Sequence, residues 1–114
     1  MKRYGSVIGV KPEKLEEYKK LHAAVWPAVL AMISECNIRN YSIYYKDGML
    51  YSYYEYIGND YEKDMQRMAA DPTTQEWWKL TDPCQQPVEN QLYRSLLYLR
   101  KHCSHLFFYL FTLI

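Results

Sequence analysis

The stretch YSIYYKDGMLYSYYEYI, residues 41–57, constrains this chain more than any other, because two tyrosine-rich runs flank an Asp-Gly pair. Asp-Gly accepts the positive φ angles of a two-residue hairpin turn, and aromatic and β-branched side chains fit the pleated surface of a strand. The runs are therefore expected to pair as an antiparallel ribbon, and the rest of the fold has to be built around it. Successive strand residues point to opposite faces, so Tyr41, Ile43 and Tyr45 share one side of the first run while Ser42 and Tyr44 share the other. In the second run Glu55 shares a face with Tyr51, Tyr53 and Ile57. It needs a partner if that face is buried and none if the face is open.

The flanking segments supply helices and one further strand. RYGSVIGV, residues 3–10, is a short β-prone run ending at Lys11-Pro12, where the residue before proline is driven extended and a helix can open on Pro12. Glu13, Glu16 and Glu17 crowd the first turn, and Leu15, Val25, Trp26, Val29, Ile33 and Cys36 recur at helical spacing. This pattern predicts one helix reaching Cys36, with Pro27 on its solvent side bending it around the core. Asn59 followed by Glu62 resembles a capping box for a helix running to about Ala70, stopped by Asp71-Pro72. TTQEWWKL forms a second, shorter helix before Asp82-Pro83.

The order β, α, β, β, α lacks one strand of the βαββαβ unit, an α+β sandwich of the ferredoxin-like kind with helices on one face of the sheet. That strand is expected from the tail. Residues 1–91 form the domain in this reading, and residues 92–114 a divergent apolar C-terminal segment. Its run LFFYLFTLI fits a buried or interface strand, the end of a terminal helix, or a membrane-surface contact, and it is about half a membrane span in length.

At 114 residues the chain is long enough for one real core. Fourteen basic and thirteen acidic side chains leave a net charge of +1, which advertises neither nucleic acid nor acidic lipid and points to a small or neutral ligand. Cys36, Cys84 and Cys103 are an odd, widely spaced set without CxxC, as expected for packing residues in a reducing compartment. The N-terminus has no apolar run of signal-peptide type, so a cytoplasmic protein is expected. Thirteen Tyr and three Trp provide many flat faces, each with a hydrogen-bonding handle, suited to a wet, ring-shaped ligand or to a tyrosine-rich core.

On a helical wheel Tyr18, Val25, Val29 and Cys36 fall near one meridian, with His22 beside them, all within an arc of about 120°. A buried imidazole and a buried phenol each require a hydrogen bond, so they either bond one another across the i, i+4 gap or meet a polar ligand. Trp77 and Trp78 lie 100° apart on their helix, which leaves at least one at its edge, free to stack on a ring. His102 and His105 lack a ligand pattern, and GxGxxG, Walker and GxSxG motifs are absent from the sequence, so no metal or nucleotide cofactor is expected. A histidine beside hydroxyls suits proton transfer on a polyhydroxylated ring without a covalent intermediate.

The segments VKPEKLEEYKKLHAAVWPAV, RNYSIYY, YYEYI and QEWWKLTDPCQQPV together resemble the L-rhamnose mutarotase family over roughly residues 1–90. The joint occurrence of Tyr-x3-His-x3-Trp-Pro, Asn-Tyr-x-Ile-Tyr and a later Trp-Trp-Lys is specific, whereas any one alone is weak. The resemblance implies a homodimeric α/β barrel, without metal or organic cofactor, that interconverts the α and β anomers of L-rhamnose. It implies that His22 is the proton donor, that Tyr18 and Tyr41 contact the sugar, and that Trp77 and Trp78 shape its site. Residues 92–114 lack the acidic, aromatic last strand usual in the family. A mutarotase-like binding protein without this activity, and a cofactor-free monooxygenase of the same fold, are the alternative readings.

Overall fold

Asp47 and Gly48 take left-handed φ angles of 49° and 79°, so the chain reverses in two residues. Strand β2 (Ile38–Lys46) then runs antiparallel to β3 (Met49–Tyr56), with Lys46 opposite Met49 and Ile38 opposite Tyr56. These elements belong to a computed structural model that describes residues 1–86 and the backbone of residues 109–112. Strand β1 (Lys2–Val10) pairs antiparallel with the other edge of β3. Two further short strands, β4 (Gln85–Gln86) and β5 (Tyr109–Thr112), flank β1 and β2, giving the sheet order β4-β1-β3-β2-β5. The first four strands have the ferredoxin-like α+β arrangement that the element order predicts.

The strand beside β1 comes from an earlier segment than expected. A 3-10 turn at Asp82–Cys84 delivers the chain straight from the last helix to the β1 edge, where Lys11 N–H donates to the Cys84 carbonyl at 2.9 Å. Gly9 permits this close approach, since a Cβ there would lie 2.6 Å from the Gln86 carbonyl oxygen. The tail adds Tyr109–Thr112 to the opposite edge, along β2. The remainder of the segment assigned to 92–114, with Cys103, His102 and His105, lies outside the described residues.

The long first helix is two. After a 3-10 turn at Pro12–Lys14, α1 spans Leu15–Ala23, and α2 begins afresh at Pro27 and runs to Glu35. Trp26, preceding proline, is held at φ −59° and ψ 133°, outside the helical region, which breaks the helix instead of bending it. Pro27 then occupies the first position of α2, where no intrahelical N–H is required, and the Trp26 carbonyl accepts from Val29 and Leu30. The wheel drawn across this break holds for α1 and for α2 separately, not for their relation to one another.

Helix α3 (Tyr61–Ala69) opens one residue later than the expected cap, with the Asp60 side chain accepting from Lys63 N–H at 3.1 Å. Asp71 and Pro72 end α3 and start α4 (Pro72–Thr81), because the Asp71 carboxylate caps Thr74 N–H at 2.9 Å while Pro72 takes the first helical position. The helices cover one face of the sheet through two core clusters. Val10, Tyr18, Ile43, Leu50 and Cys84 form one, and Val29, Ile33, Ile38, Tyr56 and Trp77 the other. No helix of the described residues is long and apolar enough to cross a membrane.

Candidate active site

Between the two core clusters the helices stand off the sheet around a cavity of about 250 Å³. Its walls include Tyr18 and His22 from α1, Tyr41 and Ile43 from β2, and Trp77 and Trp78 from α4. All five residues singled out from the sequence therefore reach one cavity, although they come from three elements as far apart as 60 positions in the chain.

Tyr18 and His22 do not bond phenol to imidazole. Their rings stack, with centroids 4.0 Å apart and planes inclined by 25°, and His22 Nδ1 lies 3.0 Å from the Tyr18 backbone carbonyl. A carbonyl only accepts, so Nδ1 carries the hydrogen and Nε2 is the nitrogen left to exchange a proton. Burial lowers the His22 pKa from its ordinary value, partly opposed by the bond to the carbonyl. The Tyr18 phenol is pushed well above its usual range, chiefly by burial and then by the neighbouring Tyr41, while a hydrogen bond with Gln85 pulls the other way. Burial likewise raises Tyr41 to about 12. Both phenols thus stay protonated at neutral pH and act there as hydroxyl groups.

Tyr41 shares the helix-covered face with Ile43 and Tyr45, as alternation predicts, while the strand before it is shifted by an irregularity that alternation does not predict. Arg39 pairs with Glu55 and Ser42 with Tyr53, so Asn40 and Tyr41 together oppose the single residue Tyr54. Asn40 absorbs the extra step at φ 52°, and its amide donates to the Glu55 carboxylate at 2.5 Å. The bulge lets Ile38 and Tyr41, three residues apart, face the helices. Glu55 sits on the other face, where it also accepts from the Tyr53 hydroxyl at 2.6 Å, and these two bonds, led by Tyr53, lower its pKa. It therefore serves the bulge and does not enter the cavity.

Of the tryptophans, Trp77 is 6% exposed and Trp78 37%, the split that their 100° separation requires. Trp77 meets the His22 ring edge-on at 5.6 Å and Trp26 at 5.3 Å, so Trp26 packs behind Trp77. Sequence reasoning missed Thr74, Thr81, Asp82 and Gln85, which also line the cavity. The signal was present: positions 74, 77, 78, 81, 82 and 85 form one helical stripe, and treating Asp82-Pro83 as a simple stop cut it short. The missed Met65 and Met68 of α3 close the apolar side.

The family model described as L-rhamnose mutarotase matches residues 3–108, which carries the likeness into the tail. An L-rhamnose mutarotase of Oceanobacillus iheyensis is 35% identical over 83 residues, covering 73% of this chain and 79% of that protein. One from Phocaeicola vulgatus is 39% identical over 80 residues, covering 68% and 74%, and one from Bacillus subtilis is 33% identical over 85 residues, covering 73% and 79%. The crystal structure of an L-rhamnose mutarotase from Formosa agariphila superimposes with a TM-score of 0.61 at 17% identity, over 83% of this chain and 100% of that one, a likeness of fold. On the match of residues 3–108 and on these relatives, the chain belongs to the L-rhamnose mutarotase family.

Proposed function

We propose that this protein interconverts the α and β anomers of L-rhamnose, with His22 as the proton donor. The observation that carries this reading is the placing of His22, Tyr18, Tyr41, Trp77 and Trp78 around one cavity, with His22 Nδ1 tied to a carbonyl so that Nε2 is the exchanging atom. In the imidazolium form, Nε2–H gives its proton to the ring oxygen as the bond from that oxygen to C1 breaks. The anomeric hydroxyl loses its proton to a water or phenol relay, and C1 becomes an aldehyde. Rotation about C1–C2 exposes the other face of the carbonyl, and closure reverses both transfers. Tyr18 and Tyr41 position hydroxyl groups, while the tryptophans lie against the apolar face of the deoxysugar. Proton transfer alone accomplishes this, and the reaction calls on no metal or organic cofactor.

The functional unit in this reading is residues 1–91, since the described side chains lining the cavity all lie between 18 and 85. It works as a cytoplasmic homodimer, for which the buried thiols Cys36 and Cys84 suit a reducing compartment. The sheet face turned away from the helices, with Val7, Tyr44 and Tyr51 in register, suits contact with a second copy. Magnetisation exchange between the anomers of L-rhamnose, followed by NMR with and without catalytic protein, tests the activity. Unaccelerated exchange with folded protein rejects it. Light scattering on the full chain and on residues 1–91 tests the dimer and the part that the tail plays in it.

A further inference from the structure

We propose that Asp82 is a substrate-binding residue, its carboxylate accepting hydrogen bonds from two adjacent hydroxyl groups of the sugar at the mouth of the cavity. The inference rests on the reading of the cavity as a sugar site. Asp82 follows Trp78 by four positions on the stripe that α4 turns toward the cavity, and Trp78, 37% exposed, marks where that stripe meets solvent. Among the described lining residues Asp82 is the one carboxylate. Thr74 donates its hydroxyl to Asp71 and Thr81 donates to the Trp78 carbonyl, while the indoles can only donate. The threonine oxygens are thus left as neutral acceptors, and Asp82 supplies the one charged acceptor among the described lining residues, able to take hydrogen bonds from two O–H groups of a sugar ring.

Asp82 ends α4 and opens the 3-10 turn Asp82–Cys84 through its backbone, its N–H donating to the Trp78 carbonyl. The nearby Lys79 ammonium is engaged with Glu76 at 2.7 Å, and Asp82 has no ion pair among the described residues. A carboxylate that lines the cavity without an ion pair among the described residues is accounted for by a ligand that uses its charge.

The test compares the unsubstituted protein with Asp82→Asn, which preserves shape but exchanges one acceptor oxygen for a donor. L-rhamnose binding is measured by calorimetry and anomer exchange by NMR, with thermal unfolding as the control for folding. Asp82→Asn is expected to weaken binding and raise KM by about tenfold or more, with kcat little changed. Its melting midpoint should be little changed. Analogues lacking the 2- or 3-hydroxyl should bind the two proteins alike. Unchanged affinity for L-rhamnose in Asp82→Asn overturns the assignment, as does a fall in kcat at constant KM, which belongs to a proton-transfer role. If the unsubstituted protein binds L-rhamnose without accelerating exchange, the proposed activity fails, yet the binding comparison still decides the role of Asp82. Absence of binding overturns both.

Discussion

His22 is fastened to Tyr18 twice, by ring stacking at 4.0 Å and by its Nδ1–H bond to the Tyr18 carbonyl at 3.0 Å. The i, i+4 spacing makes both possible, because on a helix a side chain lies over the turn that precedes it. The pair fixes the ring plane and the tautomer together, without any contribution from the phenol hydroxyl. Tyr18 therefore keeps its hydroxyl for other partners.

Replacing His22 by Gln should lower the enzymatic anomer-exchange rate by about 10²- to 10⁴-fold, the usual share of a positioned acid or base, and leave the fold intact. Exchange spectroscopy together with circular dichroism checks this. If the imidazolium is the donor, the rate in the unsubstituted protein falls as pH rises through a His22 pKa below the ordinary 6.5. A rate that instead climbs with pH through that range makes the neutral ring, acting as a base, the working form.

The same pKa has a consequence for stability. Burial favours the neutral ring in the folded protein, so as pH falls the unfolded chain takes up this proton first. The contribution is fully present above the unfolded value near 6.5 and is lost between that value and the lower folded one. Melting curves from pH 8 to pH 5 should show a smaller decline for His22→Gln than for the unsubstituted protein. Parallel declines exclude a linkage to His22.

Asn40 controls Tyr41 through the bulge. At φ 52° a β-branched side chain is strained, so Asn40→Val should cost about 1–2 kcal/mol of stability and misplace Tyr41, raising KM. Asn40→Gly tolerates the backbone and loses only the amide bond to Glu55, so its effect should be the smaller of the two. Chemical denaturation and exchange kinetics on both variants check the order.

The adjacent tryptophans should separate cleanly. Trp77→Ala removes a side chain packed against His22 and Trp26, with a loss of about 3–5 kcal/mol. Trp78→Ala, at an exposed position, should change stability by less than about 1 kcal/mol and act mainly on sugar affinity. Equal destabilisation by the two contradicts the burial assigned to them.

Local chemistry made much of this protein readable from its residues. Asp47-Gly48 can hold two positive φ angles, so the hairpin and its register follow from the turn. Asp71-Pro72 marks a helix end because proline drives the residue before it extended and has no N–H to donate, whereas Asp82 before Pro83 stays helical and the chain goes on into a 3-10 turn. The same rule, applied to Trp26-Pro27, correctly ends a helix, and treating the apolar period as continuous across it produced one bent helix where there are two. Periodicity records which face is apolar, and it does not record whether the backbone is unbroken.

The sequence by itself determined the element types, the turn and the residues able to move protons or stack on a ring, since these depend on side-chain chemistry and on neighbours within a few positions. Only the tertiary structure decided that the face shared by Tyr41, Ile43 and Tyr45 is the one the helices cover, and that Ile38 joins it through a bulge whose extra residue is invisible to strict alternation. It likewise placed Glu55 on the opposite face, and Asp82 and Gln85 beside the residues of α1. Those outcomes depend on the packing of α1 and α4 against the sheet, on contacts between residues about 60 positions apart that no local pattern encodes.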